Sequence, residues 1–105
     1  MSPVSVVGVS HLTAPVEIRE RFAFAPAEAE AALGALRTHS AVQEAVLLST
    51  CNRTELYVCP GGNEGVQNAA QRVLAEKAGD VVGGTQQYLY RHDGEATVRH
   101  LYRVA

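Results

Sequence analysis

Apolar runs of different period divide the chain into predicted strands and helices. The run Val4–Val9 is β-branched and apolar at successive positions, which predicts a central strand covered on both faces. Shorter runs at Ala45–Ser49, Leu56–Cys59 and Gln87–Arg91 predict three further strands. Only a few polar residues, around 50–54, separate the second strand from the third. That spacing predicts a hairpin.

Apolar residues spaced three and four apart predict helices between these strands. Thr13 is suited to cap a short first helix, with Pro15 in its first turn. A second helix is predicted to open at Pro26 and to end near Arg37, with acidic residues early and a basic residue late, as the helix dipole favours. A third amphipathic helix is predicted over 66–78 and stops at a glycine.

The last predicted helix follows Asp93, which is suited to cap it. Its apolar residues form one stripe, made of Val98, Leu101, Tyr102 and Ala105. His100 lies off that stripe on a helical wheel, so we expect it to face water or the edge of a cleft. The helix reaches the chain end with no stop signal, which indicates a piece of a longer protein.

The order strand, helices, strand, strand, helix, strand, helix predicts one domain over residues 1–105. It favours the α+β class with a ferredoxin-like βαββαβ core, a four-stranded antiparallel sheet with helices on one face. We expect the other face to be partly apolar, because Val4–Val9 and Val46–Leu48 are apolar on both sides.

Composition excludes several classes of protein. Of 105 residues, 47% are hydrophobic and 19% are charged, which is typical of a globular chain rather than a disordered one. Nine basic against eleven acidic residues give a net charge of −2, which does not favour sequence-independent nucleic-acid binding. No apolar run approaches the ~20 residues of a membrane span, and no secretory signal is visible. Two cysteines and no zinc-ligand spacing indicate a reduced, cytoplasmic chain without a metal.

Cys51 is the strongest candidate for chemistry. Its neighbours are small and polar, and Arg53 lies two residues further on. A nucleophilic cysteine needs exposure, nearby positive charge and hydrogen-bond donors, because the thiolate is the reactive form. A turn between strands also offers free backbone N–H groups that can hold an oxyanion. The alternative from the residues alone is an idle thiol in a loop.

Other candidates have equally plain structural alternatives. Arg53 can bind a carboxylate through two parallel hydrogen bonds, or it can simply pair with Glu55. Thr50 can orient a substrate or merely complete the turn. His100 can form a pair with Cys51 or lie in solvent, and His11 can lie near the same site.

The glycines do not indicate a nucleotide site. Gly83 and Gly84 neither follow a predicted strand nor open a helix with phosphate-binding spacing, and the chain has no GxGxxG or GxxxxGK[ST] motif. Cofactor binding is therefore not expected within this chain.

Three segments resemble the glutamyl-tRNA reductase family. Residues 8–20 (GVSHLTAPVEIRE) resemble the family's opening, 48–57 (LSTCNRTELY) its active-site segment, and 100–105 (HLYRVA) its histidine-bearing helix. Leu12 stands where the family often has a basic or polar residue, and Tyr102 where it often has Phe. The three segments occur in the family's order and span nearly the whole chain.

The resemblance implies a reaction. That family converts glutamyl-tRNA to glutamate-1-semialdehyde with NADPH, at the start of a route to tetrapyrroles through 5-aminolevulinate. Cys51 would attack the ester and form a thioester, which hydride then reduces. Thr50 and Arg53 match positions that recognise the glutamyl group, and His100 matches a catalytic histidine that holds substrate or assists proton transfer.

The resemblance also implies the missing parts. A Rossmann domain would bind NADPH, and a helical domain would make the full-length protein a homodimer. The next enzyme of the pathway, glutamate-1-semialdehyde aminomutase, is a candidate partner. Two alternatives remain open at this point: a cysteine thioesterase or acyltransferase, and a non-enzymatic ferredoxin-like binding module.

Overall fold

The computed structural model describes residues 4–39, 41–61, 65–81 and 83–104. Its strands and α-helices, in chain order, are β1 (Ser5–Ser10), α1 (Val16–Phe22), α2 (Pro26–Arg37), β2 (Val42–Ser49), β3 (Arg53–Pro60), α3 (Val66–Ala78), β4 (Tyr90–Asp93) and α4 (Gly94–Val104). A single 3-10 turn, Gln86–Tyr88, precedes β4. None of the helices in these ranges is long and apolar enough to cross a membrane.

The four strands form one antiparallel sheet in the order β2-β3-β1-β4. This is the strand order of a ferredoxin-like βαββαβ core, so the predicted fold class is confirmed. The two central strands, β1 and β3, pair over their length, with Val7 opposite Leu56 and Ser10 opposite Arg53. The hairpin between β2 and β3 therefore lies at the end of the sheet where β1 leaves it.

The helices α2 and α3 have the predicted bounds, but the strands differ from the prediction. The second strand begins at Val42 and the third at Arg53, three residues earlier than expected in each case. Cross-strand pairing continues to Ser49 opposite Thr54 and so extends the ladder through polar residues. The prediction of a fourth strand over 87–91 is wrong at its start, because the 3-10 turn occupies that segment.

The apolar core lies between one face of the sheet and helices α1, α2 and α3. Alternate residues of the two central strands point into it, and each of these helices contributes a fully or almost fully buried side chain. Phe22, Leu36 and Leu74 are those three side chains, with exposures of 0 to 2%. The sheet and these helices form the rigid support of the candidate site.

The last helix, α4, packs on the opposite face of the sheet and in the reverse of the predicted orientation. Thr97 is buried and the His100 side chain is only 13% exposed, whereas Tyr102 is 82% exposed. Val98 and Leu101 are also exposed, at 36% and 45%. The prediction that this stripe packs down with His100 at its edge is therefore wrong. The sheet face beneath α4 combines Glu55, Tyr57 and Tyr90 with the buried Val6, and Val46 is exposed on the same face, so the expectation of a partly apolar face is confirmed. Ala105 falls outside the described residues.

The predicted side-chain cap by Thr13 is wrong, whereas Asp93 stands directly before α4. The Thr13 hydroxyl accepts a hydrogen bond from the Ser10 N–H at 3.0 Å, so it closes the turn after β1, and Pro15 occupies the cap position of α1. Asp93 is the last residue of β4, and its carboxylate accepts a hydrogen bond from the Ser5 hydroxyl at 2.8 Å. The Thr13 hydroxyl thus stabilises the end of β1, and the Asp93 carboxylate ties β4 to β1.

Candidate active site

The turn that carries Cys51 is closed by its neighbours. The Thr50 N–H donates to the Arg53 carbonyl at 2.7 Å, and the Thr50 hydroxyl accepts from the N–H groups of Asn52 and Arg53 at 3.3 Å each. The hydroxyl of Thr50 therefore has the structural role of completing the turn. Cys51 is exposed at its tip, and its thiol is free.

The same turn is tied to the two segments that precede it in the chain. The His11 N–H donates to the Asn52 carbonyl at 2.9 Å. The Arg19 guanidinium donates from Nη1 to the Ala14 carbonyl at 2.8 Å, and its Nε lies 3.4 Å from the Cys51 carbonyl oxygen. Arg19 thus brings a second positive charge to the cysteine turn, which the sequence analysis overlooked. The His11 side chain itself is exposed.

A buried carboxylate, Glu55, organises the face of the sheet under α4. Its side chain is completely buried. The Tyr57 hydroxyl donates to Oε1 at 2.9 Å, and the Tyr90 hydroxyl donates to Oε2. Oε2 is also paired with Nε2 of His100, and it lies 3.7 Å from Nη1 of Arg53. Two strands and one helix therefore meet at this one carboxylate.

The hydrogen bonds decide the ionisation of Glu55. Burial by itself favours the neutral acid, but the hydrogen bonds from Tyr90, His100 and Tyr57 outweigh it and hold the pKa of the Glu55 carboxyl below its ordinary value. Burial, and then the adjacent carboxylate, raise the pKa of each of the two tyrosines, so both hydroxyls remain donors. The site thus holds a buried carboxylate surrounded by donors.

An aromatic group packs beside this carboxylate. The ring centroid of His100 lies 5.3 Å from that of Tyr90 and 4.8 Å from that of His92. Burial lowers the pKa of His92, and the positive charges of His100 and Arg103 lower it further. His92 therefore favours the neutral ring and packs against His100 as an aromatic group.

The structure brings Arg53 and His100 to the same carboxylate and places Cys51 in the turn that leads into Arg53. That Thr50 and Cys51 share one concavity with these two residues stays a prediction. Glu55 is the residue that sequence reasoning missed as a site component. The sequence contains a signal for it. Glu55 lies between Thr54 and Leu56 on a strand, and these neighbours face the core, so Glu55 must point to the other face of the sheet.

Gly8 makes room for the Glu55 side chain. It pairs with Glu55 on one side and with Tyr90 on the other, in the middle of the sheet. A Cβ atom at Gly8 would lie 2.8 Å from Glu55 Cγ and 2.8 Å from the Thr54 backbone oxygen. The backbone oxygen has no freedom to move away, so only glycine fits here.

We therefore expect Gly8→Ala to lower the free energy of unfolding by about 1–3 kcal/mol, as overpacking of a buried site does. Gly34→Ala is the matched control, because Gly34 lies in α2 and a Cβ atom there meets nothing within 4 Å. This substitution should raise the free energy of unfolding by about 0.5–1 kcal/mol. Urea unfolding of both variants measures the difference. An unchanged midpoint for Gly8→Ala would contradict the close packing of Glu55.

Acid should weaken the fold through Glu55. Its pKa is lowered by folding from an ordinary value of 4.5, so the unfolded chain binds more protons below that pH. The stabilisation is present above the ordinary pKa and is lost as the pH falls through the folded one. We expect the free energy of unfolding, measured by urea titration from about pH 6 to about pH 3, to fall across this window.

Glu28 is the matched control, because its pKa is also lowered in the folded protein. The Ala25 backbone N–H lowers the pKa of Glu28 as well, but Glu28 is exposed. Glu28→Gln should therefore leave most of the acid-dependent loss in place, whereas Glu55→Gln should remove it. Equal pH profiles for wild type and Glu55→Gln would contradict this assignment.

Metal and nucleotide sites are not indicated by the described residues. Within these ranges, no group of three or more His, Cys, Asp or Glu side chains lies close enough to hold a metal ion. Gly83 and Gly84 have positive φ angles, in the loop before the 3-10 turn. They lie between α3 and that turn, not between a strand and a helix N-terminus.

The comparisons with known proteins agree with one another. The family model described as "Glutamyl-tRNAGlu reductase, N-terminal domain" matches residues 7–105. The chain is 49% identical over 102 residues to a glutamyl-tRNA reductase of Rubrobacter xylanophilus, and 50% identical over 100 residues to that of Stenotrophomonas maltophilia. These matches cover 97% and 95% of this chain, but only 24% and 22% of the relatives.

The fold is also similar to a solved structure. The glutamyl-tRNA reductase from Methanopyrus kandleri superimposes with a TM-score of 0.68 at 26% sequence identity. The match covers 99% of this chain and 22% of that chain. This chain thus spans less than a quarter of that protein.

Proposed function

The chain belongs to the glutamyl-tRNA reductase N-terminal domain family, and from that premise we propose that it supplies the acyl-transfer site of an NADPH-dependent reductase. The observation that carries the proposal is the exposed Cys51 thiol at the tip of a closed turn, which leads into Arg53 and whose backbone oxygen lies 3.4 Å from Nε of Arg19. The substrate is glutamyl-tRNA, and the product belongs to the route to tetrapyrroles.

In the proposed step, the Cys51 thiolate attacks the carbonyl carbon of the glutamyl ester. The thiol gives up its proton, a carbon–sulfur bond forms, and the ester carbon–oxygen bond breaks. The terminal ribose oxygen of the tRNA then leaves as a hydroxyl after it takes that proton. The N–H groups of Thr50, Asn52 and Arg53 close the turn, so the backbone N–H of Cys51 is the one proposed to hold the oxyanion that develops. A thioester carbonyl is less resonance-stabilised than an ester, so this exchange prepares the acyl group for hydride.

Arg53 and Thr50 are proposed to recognise the glutamyl group. The Arg53 side chain is 17% exposed, and one of its nitrogens, Nη1, lies 3.7 Å from Glu55. A guanidinium has five N–H donors, so Arg53 can pair with Glu55 and still present a fork to the substrate carboxylate. Thr50 holds the turn closed, and through it the position of that guanidinium.

His100 is proposed to assist proton transfer. Its Nε2 is paired with Glu55, which leaves Nδ1 as the nitrogen that can exchange a proton with the departing hydroxyl. The departing ribose oxygen is a poor leaving group unless it gains a proton, and a nearby imidazole can deliver that proton.

The reductant belongs to another part of the protein. The described residues do not fit a dinucleotide, so the chemistry that they carry ends at the thioester. We propose that NADPH is bound by a separate Rossmann domain of a longer, homodimeric, cytoplasmic protein, as the family resemblance implies. A handover of the aldehyde to glutamate-1-semialdehyde aminomutase is part of the same proposal.

Trapping the thioester tests the proposal. The full-length protein is incubated with glutamyl-tRNA carrying labelled glutamate, without NADPH, and is quenched in acid. We expect a glutamyl adduct on the peptide that contains Cys51, which hydroxylamine releases. Label on the Cys59 peptide, or no adduct in a protein that still binds glutamyl-tRNA, would overturn the proposal.

A further inference from the structure

Glu55 is a buried charge with no direct place in the proposed acyl transfer. Its side chain is fully buried, and its partners come from three different elements: Tyr57 on β3, Tyr90 on β4 and His100 on α4. A buried charge is costly unless it is paired and hydrogen-bonded. The carboxylate has donors from all three elements, which indicates that its charge has a role that an apolar residue could not fill.

The contact with His100 fixes one atom of the imidazole. A carboxylate accepts hydrogen bonds only, so Nε2 of His100 must carry the proton that it shares with Glu55. The bond that one ring nitrogen makes decides which nitrogen remains free. The rings of Tyr90 and His92 pack against the same imidazole and hold its plane.

The same contact positions α4. The buried side of this helix is polar, with Thr97 and His100 facing the sheet and Leu101 and Tyr102 exposed. The pair between His100 and Glu55 is therefore a polar contact that ties α4 to β3, beside the buried Val6 and the packed aromatic rings.

We infer that Glu55 is a positioning residue for the proposed reaction: it keeps the proton on Nε2 of His100, holds the ring against the sheet, and so leaves Nδ1 to accept the proton of the Cys51 thiol and pass it to the departing ribose oxygen. This inference rests on the proposed function. Carboxylates that orient an imidazole in this way serve in catalytic triads, where they set the tautomer without taking part in bond changes.

The test separates positioning from substrate binding by comparing kcat with KM in the full-length protein. Glu55→Gln should lower kcat roughly a hundredfold and leave KM for glutamyl-tRNA within about threefold. Glu44→Gln, an exposed carboxylate on β2, is the matched control and should change neither. A wild-type kcat in Glu55→Gln, or a loss confined to KM, would overturn the inference.

A double substitution tests whether Glu55 acts through His100. If it does, Glu55→Gln should cause no further loss of kcat in a His100→Ala protein, because the two losses share one cause. Additive losses would overturn the inference. If Glu55→Gln keeps the wild-type kcat while Cys51 is still labelled, only the role of Glu55 is rejected. If Cys51 is not labelled in the wild-type protein, the proposed function itself is rejected.

A chemical probe reports on the ring without any assay of activity. Diethyl pyrocarbonate should modify His100 at least about tenfold more slowly than exposed His11 in wild type, and Glu55→Gln should remove that protection. Where Glu55→Gln fails to fold, the wild-type rates decide: slow modification of His100 supports the anchored ring, and equal rates for the two histidines overturn it.

Discussion

Replacing Cys51 by serine in the full-length protein is expected to lower formation of the aldehyde at least about a thousandfold, because a serine hydroxyl is a far weaker nucleophile than a thiolate. The fold should be unaffected. Cys51 is exposed at the tip of a turn whose closing hydrogen bonds come from the backbone and from Thr50, so the substitution opens no cavity. The free energy of unfolding, measured by thermal denaturation, should change by less than about 0.5 kcal/mol.

The control is the other thiol of the chain. Cys59 lies in β3, away from the turn, and is half-buried. Cys59→Ser should retain activity close to wild type. Aldehyde formation by Cys51→Ser at more than about a tenth of the wild-type rate would show that the reaction needs no nucleophile at this position.

Replacing Arg53 by alanine is expected to lower kcat/KM for glutamyl-tRNA roughly a hundredfold, which corresponds to the loss of a charge-assisted pair of about 3 kcal/mol. The same variant should lose its preference over tRNA carrying glutamine, because a neutral amide gains little from a guanidinium. Measuring both substrates with both proteins therefore tests recognition of the carboxylate itself.

Arg53 also lies near Glu55, so stability must be measured alongside the kinetics. Arg53→Lys keeps the charge but not the planar fork, and it should recover only part of the loss. Arg99→Ala serves as the control, since its ion pair with Glu95 is exposed to solvent on α4. An unchanged ratio between the two substrates in Arg53→Ala would show that another group reads the carboxylate.

The elements with strong local signals could be predicted from the sequence. The proline that opens α2 and the glycine that ends α3 set their bounds, and the β-branched run of β1 identified the central strand. The fold class followed from the order of strands and helices along the chain. The strand ends could not be placed, because polar residues at Arg53 and Thr54 enter the sheet only through pairing with neighbouring strands.

The orientation of α4 could not be predicted, and the reason is physical. A helical wheel assumes that the apolar stripe faces the protein, which holds when the surface beneath it is apolar. Here that surface contains Glu55 and the hydroxyls of Tyr57 and Tyr90, so the helix turns its histidine inward. That His100 and Cys51 line one cleft stays a prediction, while the helical-wheel argument for it is wrong.

The polar underside of α4 also separates the formation of the site from the folding of the core. An isolated helix of eleven residues is marginal in water. The large apolar side chains of α4, Leu101 and Tyr102, are exposed, so burying them does not drive its docking. Its docking surface exists only after β3 and β4 have each paired with β1 and brought Glu55 next to Tyr90. We therefore expect the sheet and the first three helices to fold before α4, and α4 to open as a separate unit on an intact domain.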